Sequence, residues 1–205
     1  MLHLRDALAE ISLIRSHLAR GAEFHGYGPT THAATGLLAF AAAAAQHAWV
    51  PHPTHTLASY LALWIAVAVV ALTLIGIETV TRARRIHSGL AMEMLHLAVE
   101  QFLPAIVAGV LLTAVLLRFA HDSAWMLPGL WQVLFSLGVF ASCRFLPRAT
   151  FAVGVWYLAM GMTCLAFGRG DLAFSPWQMG IGFGVGQLLV AAILQFRYRE
   201  SHEQI

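Results

Sequence analysis

The sequence predicts an all-α integral membrane bundle of six transmembrane helices, arranged as three hairpins and preceded by an interfacial amphipathic helix. Composition is the first reason: 59% of the 205 residues are hydrophobic and 11% are charged. With a mean hydropathy of +0.72, that leaves too little polar surface to cover a soluble domain. Length is the second reason. The apolar stretches 33–50, 57–77, 97–117, 123–143, 149–167 and 172–196 each approach the ~20 residues that carry a helix across ~30 Å of hydrocarbon. Charge is the third. All 12 basic residues are arginines, and threading the stretches back and forth collects Arg5, Arg15, Arg20, Arg82, Arg84, Arg85, Arg144, Arg148, Arg197 and Arg199 on one side, leaving Arg118 and Arg169 on the other. By the positive-inside rule the arginine-rich side is cytoplasmic, so both termini are expected there, in a bacterial-type inner membrane.

Residues 1–29 place Leu4, Leu8, Ile11 and Ile14 at helical spacing, with Arg5, Glu10, Arg15 and Arg20 elsewhere. This segment is too polar to span and has no signal-peptide core. It is expected either to lie along the cytoplasmic interface or to pack on the cytoplasmic ends of the bundle, and Gly21, Gly26, Gly28 and Pro29 end it. One transmembrane domain follows over 30–199, with 200–205 as a short cytoplasmic tail. Its hairpins turn at outer loops bearing Trp49 to Pro53, Trp125 to Pro128, and Pro176 with Trp177. Amphipathic anchoring and helix termination favour these residues at any membrane boundary, so the likeness of the three turns is weak evidence for a triplicated unit.

Lipid gives helices little reason to associate, so small residues have to let backbones approach. The candidates are Ala41 and Ala45 in the first span, Gly154 and Gly161 in the fifth, and Gly180, Gly182, Gly184 and Gly186 in the sixth. The last four open two faces of one helix. They read first as packing within the bundle and second as a surface for a homo-oligomer or a membrane partner. Cys143 and Cys164 fall toward opposite ends of the bundle, too far apart for a disulfide. No polybasic run suggests nucleic acid, which leaves the bilayer as the evident partner.

Motifs for catalysis are missing: the sequence has no GxSxG, HExxH or Walker pattern. The one constellation with chemical content opens the third span, where Glu93, His96, Glu100 and Pro104 recur at i, i+3, i+7 and i+11. A helix over 88–118 would be ~45 Å long at 1.5 Å per residue, longer than the hydrocarbon is thick. Its first turns therefore project into the interface, and only Glu100 is expected inside. Pro104 has no N–H for the Glu100 carbonyl, so a free acceptor and a carboxylate coincide at an expected kink. A carboxylate inside a membrane costs ~2.5–3.5 kcal/mol and commonly faces an interior or a partner.

Three readings of these residues stand. Glu93, His96 and the neighbouring arginines form a solvated interfacial cluster, with Glu100 bonded inside the bundle, for example to Gln187. Alternatively, Glu100 is a protonatable binding group, with Gln101, His96, Glu93 and Gln187 around it and Thr73 adding further polarity. In the third reading, Glu78, Glu93, His96 and Glu100 hold a metal ion, as oxygens with one imidazole suit Mn, Fe or Zn. No cofactor is strongly implied. Haem is disfavoured, because His32 and His96 are the only pair at comparable depth and both sit at the boundary. His47, His52, His55 and His121 make at most a weak outer patch.

The reading that follows is a non-catalytic multi-pass protein of binding or transport type, with Glu100 at the Pro104 kink as its protonatable group. The alternatives are an assembly or regulatory subunit of a membrane complex, and a metal-binding membrane protein.

Overall fold

The computed structural model describes residues 28–49, 57–85, 89–143 and 149–203, and for 82–85, 89–95, 171 and 197–203 the backbone only. The expected amphipathic segment lies outside the described residues except for its final Gly28 and Pro29, as do His52 and His55. Among the described residues there are six α-helices and no strand: α1 Pro29–Trp49, α2 Leu57–Arg85, α3 Gly89–Phe119, α4 Leu127–Ser142, α5 Thr150–Phe167 and α6 Pro176–Glu203. Proline opens both α1 and α6, where its fixed φ suits the first turn and its missing N–H costs nothing. α3 runs unbroken through Pro104, one residue beyond the expected 88–118 at its far end. The fourth stretch differs from expectation, because His121–Met126 is a 3₁₀ turn and α4 begins only at Leu127, with Pro128 in its first turn.

Five segments are long and apolar enough to cross a membrane: Leu57–Thr81, His96–Phe119, His121–Ser142, Thr150–Phe167 and Pro176–Phe196. α1 is not among them. Its 21 residues are rich in alanine and include Thr30, Thr31, His32 and Gln46.

Consecutive helices run antiparallel, so the α1–α2, α3–α4 and α5–α6 connections share one end of the molecule, the tip, and the opposite end is the base. α6 is the centre of the packing, and its glycines explain why. A Cβ at Gly180 would press on Ala43 of α1 and one at Gly184 on Phe40 of α1, whereas Gly182 faces Gln132 of α4 and Gly186 faces Tyr157 of α5. Both glycine faces are thus filled from within the chain, which leaves no open glycine stripe on this helix for a partner. α1 answers with Gly36, Ala39 and Ala43 rather than with the expected Ala41 and Ala45. Ala41 is exposed, while a Cβ at Gly36 would come within 2.9 Å of the Gly184 carbonyl. α4 and α5 cross at a mutual glycine pair, where a Cβ on either Gly129 or Gly161 would lie 2.8 Å from the other's carbonyl oxygen.

The apolar core gathers at the tip. Ala42, Ala43, Tyr60, Leu61, Trp64, Leu127, Phe174 and Met179 are buried together, and Leu116, Leu117, Trp131 and Phe183 pack around them. Polar groups lock this layer. Gln46, fully buried, donates to the Phe174 carbonyl at 2.7 Å and accepts from the Trp64 indole at 2.7 Å. Phe174 has φ 59°, a left-handed conformation unusual for a bulky residue, and this clamp and the Tyr60 ring at 4.9 Å hold it there.

α2 and α3 bracket the other four helices. α2 packs on α1 and α3 on α4, but the two hardly touch each other. Away from the tip they bury little, and Val69, Leu72, Ile77, Leu103, Val107 and Leu111 are all exposed. Such apolar flanks suit lipid, which solvates them as water cannot.

Candidate functional site

The strongest polar cluster near the base is built on α6, between the face given to α1 and the face given to α4 and α5. Phe183, Gln187, Val190 and Leu194 form an i, i+4, i+7, i+11 stripe there, each half-buried, and this is the side over which α2 and α3 splay. Gln187 is the polar member. Its Oε1 accepts from His32 Nδ1 at 2.8 Å and, more weakly, from Thr35 Oγ1 at 3.4 Å. Its Nε2 donates to the Tyr157 hydroxyl at 3.5 Å. His32 and Thr35 are one turn apart on α1, and Thr35 also donates to the His32 carbonyl at 3.0 Å. His32, Thr35 and Tyr157 are all buried. Because an amide oxygen only accepts, this arrangement sets the proton on His32 Nδ1 when the ring is neutral.

Glu78 of α2 completes the cluster toward the base. Its carboxylate lies against the α-carbon of Gly28, in the space a side chain there would occupy. This places the carboxyl group at the N-terminus of α1, where the helix dipole and unpaired N–H groups favour negative charge. Toward the tip the cluster is closed by three rings. Phe135, Tyr157 and Phe183 stand 4.6, 5.4 and 5.3 Å apart pairwise, and Phe102 reaches Phe135 at 5.1 Å.

Of the residues singled out from sequence, Gln187 and Glu78 belong to this cluster and His96, Glu100 and Gln101 of α3 do not. Glu100 pairs with His96 one turn away at 3.1 Å on the outward side of α3, with side chains 55% and 75% exposed. Gln101 is exposed as well, and the side chain of Glu93 lies outside the described residues. The depth of Glu100 is fixed by its neighbour Ala98, whose carbonyl accepts from Ser142 at the base end of α4. Glu100 is therefore ~3 Å further in than the end of α4, within reach of the interface by a bent side chain. Gln187 bonds His32, not Glu100, because α6 turns that residue toward α1. Among the described residues no three His, Cys, Asp or Glu side chains come together as a metal set would require. His32 and His96, the two histidines weighed for haem, point to different surroundings, one toward Gln187 and the other toward Glu100. Thr73 is exposed and bonds the Val69 carbonyl of its own helix.

The sequence reading missed His32, Thr35 and Tyr157 as cluster members. A histidine and a threonine at i and i+3 in an alanine-rich span were the available signal, since both would be wasted facing lipid. No protein-family model, no curated protein and no solved structure matches the chain.

Proposed function

We propose that the chain is a multi-pass inner-membrane protein of non-catalytic binding or transport type, which takes a small polar or protonatable ligand at the His32–Thr35–Tyr157–Gln187 cluster. In this reading all six helices span, the arginine-bearing base faces the cytoplasm with both termini, and residues 1–29 lie along that interface. The observation that carries it is the part-buried His32–Gln187 hydrogen bond, backed by Thr35 and Tyr157, with the Glu78 carboxylate at the start of the same helix. Polar groups of this number in a lipid-embedded interior are costly to keep and mark ligand or proton pathways. Entry is from the base, because the three-ring layer closes the other side.

The test is reconstitution into liposomes loaded with a pH-reporting dye, followed by an acid jump outside. Wild type is expected to pass protons faster than protein-free liposomes, with the excess lost in Gln187→Leu and His32→Ala. Wild-type traces that match protein-free liposomes, with and without added small solutes, would end the transport reading.

A second reading is favoured by one observation: an acid, a histidine and a glutamine (Glu100, His96, Gln101) stand on the outward side of a helix that buries almost nothing. On this reading the protein is an assembly subunit, and a partner covers α3 near the base. Co-purification of a stoichiometric protein that is lost in Glu100→Leu, while the chain still inserts, supports this alternative. Purification as a lone species in both forms removes it.

A further inference from the structure

The exposed surface of α5 limits how thick a hydrocarbon layer the bundle can accept. Phe151, Val155, Ala159, Met162 and Phe167 form an exposed strip from one end of this helix to the other. Among the described residues α5 is also the shortest of the five membrane-length segments, with 18 residues from Thr150 to Phe167, or ~27 Å at 1.5 Å per residue. Both of its ends are fixed. At the base Ala149 offers no side-chain cap, and the first N–H groups of a helix have no partner within it, so they need water or headgroups. At the tip the Gly168 N–H bonds the Cys164 carbonyl at 2.7 Å and closes the helix. Arg169 follows, its guanidinium over the Trp125 ring at 4.6 Å. A cation resting on an aromatic ring belongs at headgroup depth. Neither end can be drawn into hydrocarbon without stranding these groups.

Two other helices give the same length. On α3 the exposed side is apolar between Glu100 and Arg118, with Leu103, Val107, Leu111 and Val115 along it, and the two charged residues stand ~27 Å apart. Arg118 is again set against a ring, Phe119, at 5.9 Å. On α6 the exposed aromatics Trp177 and Phe196 are ~29 Å apart, with Arg197 next in the sequence. At the ~20° mean tilt of transmembrane helices, the three lengths subtend ~25–27 Å, against ~30 Å for a typical hydrocarbon core. A long helix absorbs such a mismatch by tilting, but one of 18 residues cannot stretch.

We propose that the bundle is fitted to a thin bilayer, with a hydrocarbon layer of ~25–27 Å, and that short-chain lipid is the partner its α5 face selects. This fit rests on the reading that the helices span, and it is independent of what binds at Gln187. In a thicker bilayer either the lipid beside α5 has to thin or the ends of α5 have to enter hydrocarbon.

Wild type is reconstituted into phosphatidylcholine vesicles whose monounsaturated chains have fourteen, sixteen, eighteen or twenty-two carbons, and melted with tryptophan fluorescence as the signal. The midpoint is expected to be highest with fourteen or sixteen carbons and to fall by at least about 3 °C with twenty-two. A midpoint that rises toward twenty-two carbons overturns the proposal. So does one that ignores chain length, which would mean that protein, such as a second copy of the chain, covers α5 in place of lipid. Two arginine substitutions on the exposed strip separate these results from failure of the spanning reading. Phe167→Arg, at the boundary, is expected to insert, whereas Ala159→Arg, midway along the helix, should lower the inserted yield at least about fivefold. Equal yields would take α5 out of the hydrocarbon and remove the spanning reading together with the proposal. Unequal yields with an optimum at twenty-two carbons would leave α5 spanning and overturn the thickness alone.

Discussion

Replacing Gln46 by methionine removes the polar clamp at the tip while keeping side-chain volume, and its cost can be worked from the geometry. Two hydrogen bonds of 2.7 Å are lost together, one from the Trp64 indole and one to the Phe174 carbonyl. Interhelical bonds in membrane proteins average ~0.6 kcal/mol, so the pair alone sets a floor of about 1 kcal/mol. The groups left behind raise the figure. Gln46 and Trp64 are 0% and 3% exposed, so water cannot readily replace the lost partner, and each stranded group costs about 1–3 kcal/mol. Phe174 also loses one of the contacts that hold its backbone at φ 59°. The expected loss is about 3 kcal/mol, which for a chain of this size lowers the unfolding midpoint by roughly 6–12 °C. Tryptophan fluorescence during a thermal melt in micelles reads it directly. Thr73→Val, which touches only its own helix, serves as the control. A Gln46→Met midpoint indistinguishable from that control would refute the clamp.

Two further predictions concern packing and exposure. Gly161→Leu should cost about 2–3 kcal/mol, because a Cβ there meets the Gly129 carbonyl at 2.8 Å and the Val133 amide at 2.9 Å, both backbone groups. Gly76→Leu, with nothing within 4 Å, should be neutral or gain up to about 1 kcal/mol from helix propensity; equal melts for the two would contradict the packing. Glu100→Gln should insert normally and change stability by no more than about 0.5 kcal/mol, because its side chain is exposed and pairs one turn away on the same helix with His96. A loss above about 2 kcal/mol in the same melt would mean that Glu100 is buried after all.

What the sequence shows clearly is what depends on local pattern. The all-helical class, the three hairpins and the length of α3 follow from apolar run lengths, and the role of Gly180 to Gly186 follows from i, i+4 spacing. The orientation of single residues around a helix was harder to read. Glu100 and Gln187 both look buried along the chain, yet only rotation about α3 and α6 decides that one faces out and the other meets His32. That rotation is fixed by neighbours remote in sequence, such as Gly138 against Phe102 and Gly36 against Gly184. In α1 the run Ala41–Ala45 looks like the natural contact, but five consecutive alanines carry no facial preference, and Gly36 one turn earlier sets the face. The fourth span expected from residue 123 is present as His121–Ser142, but its first turn is 3₁₀, because Pro128 has no N–H for the Ala124 carbonyl and the Leu127 N–H takes it instead.

α6 owes its position to α1, and the two are joined by a hydrogen bond spanning 155 positions. The most extensive helix pair in the molecule is therefore also among its most distant in sequence. Contacts that close so long a loop form late and slowly. During biosynthesis α1 is made well before α6, so its Gly36, Ala39 and Ala43 face stays uncovered until α2 to α5 have followed it. The tip layer around Phe174, which borrows Gln46 from α1, cannot set before then. The packing of α1 on α6 is thus completed only once the last helix is made, and the uncovered α1 face marks the interval in which a chaperone or a protease has its opportunity.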